Sequence, residues 1–396
     1  MNAESMTKIK DEDKFLFSFS GSLDVDRFKK MLRHCNSVGA YADIYFAEGD
    51  QTIIRSLGLN YPLIKRAIQE NEMRIIGTEL GKDASAISSV LSGTPMDGSY
   101  SMLTDEGNID SAPLRWRYNM TPYITPSDKK GVQITMRRIE YVPPKIEKMN
   151  LECGIIENIK PRNGVVIISG ETGSGKSTLI ASVLRWLKET PNGNYVINTY
   201  ESPVEFLHNS YPCDPTNKIY QTEINPYGWL KTFAEGVRSS LRRNPNGFLV
   251  GECRDLETME ATIRASSSGH FVYTTTHANS VSDTITRFIN EFPEQERHAR
   301  YYELISNLRL IVSQYLATTV TGGKTPVREY LVFTPSVRNL LKSTSYKDAE
   351  QVIRSFIKEN GGVNSPVAQS TEQSASNLFN LGTIDEAEYK YIMTGV

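Results

Sequence analysis

Residues 165–178 read VVIISGETGSGKST, an apolar run that passes into a glycine-rich turn and then into a helical pattern. Gly170, Gly175, Lys176 and Ser177 stand at the spacing G-x-x-x-x-G-K-[ST], with Gly173 in the middle. This is the spacing of a phosphate-binding loop. Glycines permit positive φ, so consecutive backbone N–H groups turn inward around an anion, and the following helix adds its positive N-terminal dipole. The residues expected to hold the phosphates are Gly170, Glu171, Thr172, Gly173, Ser174, Gly175, Lys176, Ser177 and Thr178. Lys176 reaches the β- and γ-phosphates, and the Ser177 hydroxyl is the expected ligand of Mg²⁺. Average glycine usage would produce the four fixed positions by chance roughly one time in a hundred in a chain this long. An apolar strand before the loop and an amphipathic helix after it reduce that chance further.

Around this loop the chain has 396 residues, 39% of them apolar, enough for about two or three globular domains. Its 44 basic and 46 acidic residues nearly cancel, so no overall attraction for nucleic acid or anionic membrane is expected. The start, MNAESMTKIKDEDK, lacks the apolar centre of a signal peptide, and no apolar run reaches about 18 residues, which makes a cytoplasmic location the expectation. Cys35, Cys153, Cys213 and Cys253 are scattered without C-x-x-C spacing and read as reduced thiols.

Upstream, residues 1–139 read as a separate α+β domain. Val25, Phe28, Met31 and Leu32 fall at helical spacing, followed by extended runs at 41–46 and 52–57. Helices are expected at 61–72 and 84–91, a loop at 92–105, and a hairpin of 114–120 with 131–139 joined by a long polar connection. Arg115, Arg117, Arg137 and Arg138 lie on that hairpin, and several of these guanidinium groups should share one face. They are either a solvated face paired with carboxylates or a set of phosphate contacts to a nucleotide on the same or a neighbouring subunit. The paired prolines of 140–150 (EYVPPKIEKMN) read as a linker.

Residues 151–358 alternate strands and helices, as a largely parallel sheet covered on both faces requires. Leu179, Ile180, Val183, Leu184 and Leu187 make one face of the helix after the loop. The next strand, 195–200, leads into ESPVEF, which places Glu201 and Glu205 beyond a carboxyl end, where such sheets bind ligands. A helix is expected at 229–243, with Trp229, Phe233, Val237 and Leu241 inward. GFLVG at 247–251 ends in Glu252, Cys253, Arg254 and Asp255. An acid ending an apolar strand downstream of a phosphate loop is the expected orienter of an attacking water, so Glu252 is the catalytic candidate; Arg254 and Asp255 read as a local ion pair. His270 and His277 bracket one strand too far apart to share a metal, and His277 falls at the carboxyl end among the acids. Helices are expected at 280–292 and 294–315, a hairpin between 316–320 and 327–333, and a flexible extension over 359–396 with a short helix at 384–393.

The ordered set GETGSGKST, YESPVEF, LVGECRDLET, SGHFVYTTTHANS and EYLVFTPSVRNLL resembles the ring-forming secretion and pilus-motor ATPases. That resemblance implies an α/β fold, a RecA-like P-loop NTPase domain preceded by a smaller α+β, PAS-like domain. It also implies hydrolysis of ATP with Mg²⁺, a homo-oligomer of six, and recruitment to secretion or conjugation proteins of an inner membrane. Glu201 and Glu205 match the family's acidic box, Glu252 its second nucleotide motif, His270 and His277 its histidine box, and Arg115, Arg117 and Arg137 its nucleotide-facing strands. Ser202 stands where many members carry aspartate, and no tetracysteine insert is present. Together with a long 92–110 segment, these departures make the chain most similar to type IVB (Dot-like) secretion and IncI-type conjugation ATPases. A DNA-translocating or helicase-like P-loop ring is the alternative. The neutral charge and the lack of an aromatic-basic tract argue against direct nucleic-acid binding.

Overall fold

The computed structural model describes residues 13–56, 59–105, 108, 113–225 and 230–395. The chain divides into two compact units, 1–141 and 142–396.

The first unit is a six-stranded antiparallel sheet with helices packed into one hydrophobic core. Helix α1 (Val25–Val38) starts at Asp24, whose carboxylate accepts from the Arg27 N–H, and it buries Phe28, Met31, Leu32 and Cys35. Strands β1 (Asp43–Ala47), β2 (Gln51–Ser56) and β3 (Leu59–Ala67) form a meander. Helix α2 (Glu70–Gly81) opens with a capping box of Gln69 and Glu72, and α3 (Ala86–Leu91) follows it. Strands β4 (Met96–Leu103), β5 (Pro113–Ile124) and β6 (Lys130–Arg138) complete the order β3-β2-β1-β6-β5-β4.

Three expectations fail here. The helix placed at 61–72 is strand β3: Leu63, Ile64, Ala67 and Ile68 sit at helical spacing, but pairing with β2 takes that stretch into the sheet, and a register irregularity beside Gln51 lets the neighbours Leu63 and Ile64 both be buried. The loop placed at 92–105 contains β4, whose Met96, Gly98, Tyr100 and Met102 are buried alternately; a glycine among the inward positions, with serine and aspartate outward, hid the period of two. The polar connection in the hairpin is also shorter than expected, because β5 continues to Ile124.

In the second unit an eight-stranded mixed sheet runs β14-β13-β12-β7-β11-β10-β8-β9. A single 3₁₀ turn at Ile146–Met149 and helix α4 (Cys153–Asn158) precede β7 (Gly164–Ser169), which is buried at every position. Helix α5 (Lys176–Glu189) then leads to β8 (Val196–Glu201) and β9 (Lys218–Glu223). Next come α6 (Phe233–Ser240), β10 (Gly247–Val250), α7 (Leu256–Ser267) and β11 (Phe271–Thr276). Strands β12, β7, β11, β10, β8 and β9 are mutually parallel, which puts their carboxyl ends along one edge. Helices α8 (Val281–Asn290) and α9 (Glu294–Asn307) lead to β12 (Leu308–Thr318), which pairs antiparallel with β13 (Lys324–Val332).

The helix expected over 294–315 therefore ends at Asn307, and Leu308 begins a buried strand beside β7. Its β-branched and aromatic content (LRLIVSQYLAT) suits the parallel pairing. The helix read at 229–243 is shorter, starting after Thr232, whose hydroxyl accepts from the Glu235 N–H; Trp229 lies outside the described residues. Nor is Ile146, in the stretch read as a linker, exposed: it joins the core beneath α5, and Arg185 Nη1 donates to the Pro143 carbonyl at 2.6 Å.

Helices α10 (Pro335–Lys342) and α11 (Ala349–Asn360) follow. The extension read as flexible is packed. Strand β14 (Ala368–Gln369) pairs with Tyr330 and Leu331. Helix α12 (Thr371–Asn380) has a capping box of Ser370 and Gln373, and α13 (Glu386–Thr394) is anchored by Glu388, which accepts from Thr318 N at 2.9 Å. Polar composition hid this packing: Ser374 and Ala375 of QSTEQSAS are small enough to lie against the sheet.

Candidate nucleotide site

Between β7 and α5 the glycine turn is shaped by its neighbours. Gly170 (φ 142°) and Gly175 (φ 83°) lie in the left-handed region, and a Cβ at Gly170 would stand 2.2 Å from the Gln314 carbonyl oxygen. Only glycine fits there. At Gly173 (φ 82°) an added Cβ would meet nothing within 4 Å, so the middle of the turn faces open space. The Lys176 ammonium is buried and donates to the carbonyls of Gly170 and Glu171, at 2.7 Å each. Burial lowers its pKa, and the nearby carboxylates of Glu252, Glu171 and Glu205 partly offset that. Ser174 Oγ is buried with no hydrogen-bond partner among the described residues. Open turn, inward glycines, a buried cation and an unpaired hydroxyl fit a polyphosphate. Ser177, one residue into α5, is exposed. Its hydroxyl is a hard oxygen donor of the kind that suits Mg²⁺.

The same sheet edge gathers the acids. Glu252 follows β10, Glu201 ends β8 and His277 follows β11. His277 Nε2 stands 3.5 Å from Glu252 Oε1, and Arg254 Nη1 lies 3.9 Å from Glu252 Oε2. Asp255 does not pair with Arg254; it caps α7 by accepting from the Thr258 N–H at 2.9 Å. Glu201 is held by neighbours: Thr199 Oγ1 donates to it at 2.6 Å and Gln221 Nε2 at 3.1 Å. Glu205 lies close enough to act on the Lys176 charge. Glu223, opposite Glu201 in register, accepts from the Val204 N–H at 3.1 Å and braces the turn that carries Glu205. His270 lies at the other end of β11, its ring 5.0 Å from Phe248 and its Nδ1 3.2 Å from the Ala265 carbonyl. It is therefore apart from His277 and the phosphate loop of its own chain, because a full strand separates the two histidines.

In the first unit, Arg117 and Arg137 face each other across β5 and β6, and Arg115 shares their face two residues along. Arg138 pairs with Trp116 on the opposite face and lies over the Tyr41 ring, so the common side holds three arginines rather than four. Asp43 engages Arg137 at 2.7 Å, and Ser101 accepts from Arg115 at 2.9 Å. The Arg117 side chain is exposed and makes no hydrogen bond or ion pair among the described residues.

Sequence reading missed Gln314, Arg328, Gln221 and Glu223. A glutamine and an arginine at opposed positions of two apolar strands are a signal in themselves, since buried polar groups need partners. Reading 308–315 as helix concealed it.

The family model described as Type II/IV secretion system protein matches residues 107–393. The chain belongs to that family. It is an ATPase of the family's secretion and pilus-motor kind. The crystal structure of the ATPase DotB from Legionella pneumophila superposes with a TM-score of 0.86 at 33% identity, covering 96% of this chain and 99% of that one. A crystal structure of the pilus retraction motor PilT with bound ADP gives a TM-score of 0.73 at 25% identity over 94% and 97% of the two chains. By sequence, the type IV pilus retraction ATPase PilT of Pseudomonas aeruginosa is 37% identical over 206 residues, which are 51% of this chain and 57% of that protein. Among the described residues no helix is long and apolar enough to cross a membrane.

Proposed function

We propose that this ATPase uses Mg²⁺ and works as a ring, six subunits by family likeness, to power substrate transfer or pilus dynamics in a type IVB-like secretion or conjugation system. The observation that carries the catalytic part is the cluster of Lys176, Glu252 and His277 along one sheet edge, with Glu252 and His277 3.5 Å apart. Likeness to DotB over nearly the whole of both chains supports the type IVB assignment. Relatives of this kind act in secretion and pilus systems, which supports a cytoplasmic chain recruited by membrane proteins.

Each residue then has a defined task. The turn from Gly170 to Gly175 binds and orients the phosphates through its backbone N–H groups, and Lys176 neutralises their charge. Mg²⁺, when bound, neutralises the phosphate oxygens, with Ser177 as its protein ligand. Glu252 orients a water and accepts its proton, while His277 fixes the carboxylate. Glu205 adds negative charge beside Lys176, and Glu201 shapes the turn through Thr199 and Gln221. Arg117 is the arginine of the first unit best suited to meet phosphate charge, because Arg137 is committed to Asp43 and Arg115 to Ser101.

The test is ATP turnover per subunit as protein concentration rises, with Mg²⁺, with and without single-stranded DNA. Turnover that climbs with concentration and ignores DNA supports sites completed between subunits of a secretion motor. Strong DNA stimulation would favour the translocase reading instead.

A further inference from the structure

A buried polar chain runs away from the phosphate loop. Gln314 and Arg328 are opposite each other on β12 and β13, and both side chains are almost fully buried. Gln314 Nε2 donates to the Ser174 carbonyl at 2.5 Å, while its Oε1 accepts from Arg328 Nε at 2.8 Å. The rest of the guanidinium is spent on one short stretch. Nη1 donates to the Asn150 carbonyl and to Glu152 Oε2, each at 3.0 Å, and Nη2 donates to the Met149 carbonyl at 2.7 Å.

We propose that Gln314 and Arg328 are positioning residues that tie the conformation of the phosphate loop to residues 149–152, near the start of the second unit. The proposal rests on the nucleotide-binding reading above. A carboxamide is a rigid plane, so holding the loop by its nitrogen and Arg328 by its oxygen fixes its orientation from both sides. The loop has little slack against it: a Cβ at Gly170 would stand 2.2 Å from the Gln314 carbonyl oxygen, and one at Gly175 would stand 2.9 Å from Nε2. Close-packed interiors pass such displacements on rather than absorb them. At the far end, Asn150 closes the 3₁₀ turn in a left-handed conformation (φ 46°), and Ile146 of that turn is buried under α5, the helix that begins at Lys176. Residues 149–152 thus lean on the phosphate loop through Arg328 and on its helix through Ile146. An ion pair serving stability alone would need only Glu152; three acceptors from this one stretch together with the Gln314 carboxamide use four of the five guanidinium donors.

The test is amide hydrogen exchange, read by mass spectrometry, on the full chain with and without ADP and Mg²⁺. Peptides covering 145–153 and 170–178 are compared in the unaltered protein, in Gln314→Met and in Arg328→Lys. The expected result is slower exchange of both peptides on binding in the unaltered protein, by about threefold or more at 145–153. Both variants should keep protection at 170–178 and lose the response at 145–153. Gln314→Met removes the loop-side link at similar volume, and Arg328→Lys removes the forked donors, so either carries the test if the other does not fold. A response at 145–153 that persists in the folded variants would overturn the proposal, as would its absence in the unaltered protein when 170–178 responds. Absence of protection at 170–178 in the unaltered protein would overturn the nucleotide reading and this proposal with it.

Discussion

Lys176 and Glu252 share one sheet edge, and the proposed function gives them different parts of the reaction. The lysine is buried beside carboxylates and its backbone partners are carbonyls, so its charge is available for phosphate. Lys176→Ala should abolish binding of a fluorescent ADP analogue, because the cation is lost while the backbone turn remains. Glu252→Gln keeps the shape of the site and the neighbour at His277, and removes the basicity. It should bind the same analogue within about threefold of the unaltered affinity yet lower kcat by about 100-fold or more. Turnover at the unaltered rate would show that another group orients the water.

The helices of the first unit have a pH-dependent anchor in Glu72, the third residue of α2. Burial alone would raise its carboxyl, but the Arg66 guanidinium and the N–H groups of Gln69 and Leu23 outweigh that and hold it at about 2. Folding thus favours the ionised form. The contribution is fully present above the ordinary glutamate value of about 4.5 and is lost as pH falls towards 2. Glu72→Gln should destabilise the first unit by on the order of 2 kcal/mol near pH 7, the partly hydrated Arg66 limiting the effect, and should flatten the acid limb of stability against pH in urea unfolding. In the second unit, Ser370 caps α12 by accepting from the Gln373 N–H at 3.2 Å. Ser370→Ala should cost about 1 kcal/mol and lower the thermal midpoint without changing nucleotide affinity. An unchanged midpoint would mean that α12 is held by its packing alone.

Across the whole molecule, the six-stranded sheet of the first unit presents Arg117 without a partner among the described residues, while the phosphate loop belongs to the second. Arg117→Ala should fold normally, bind ADP as before and turn over at least about tenfold more slowly. If its role is to complete a neighbour's site, mixing it with Lys176→Ala subunits should restore activity, because that partner keeps the arginine. No restoration at any mixing ratio would place Arg117 in the site of its own chain or outside catalysis. If the exposed Arg117 meets phosphate charge as proposed, turnover should also fall with salt, since exposed pairs are screened within about 8 Å at physiological ionic strength.

By itself the sequence determined the phosphate loop, the largely parallel character of the sheet that follows it, and the positions of Glu201, Glu205, Glu252 and His277 at carboxyl ends. These were legible because each depends on local rules: glycines at fixed spacing, apolar runs of strand length, and acids that follow them. Only the tertiary structure decided that 61–67 and 308–318 are strands, since their apolar spacing fits either element and pairing with a neighbour settles it. It also decided that Arg138 leaves the common face of the other three arginines, because one residue along a strand reverses the side. The tail from 359 onward is ordered by the edge of β13 and by Thr318 of β12, contacts that no local pattern encodes. Gln314 and Arg328 belong to the same class. Their meaning lies in partners 140 and more than 170 residues away along the chain, and only folding brings those partners within hydrogen-bond reach.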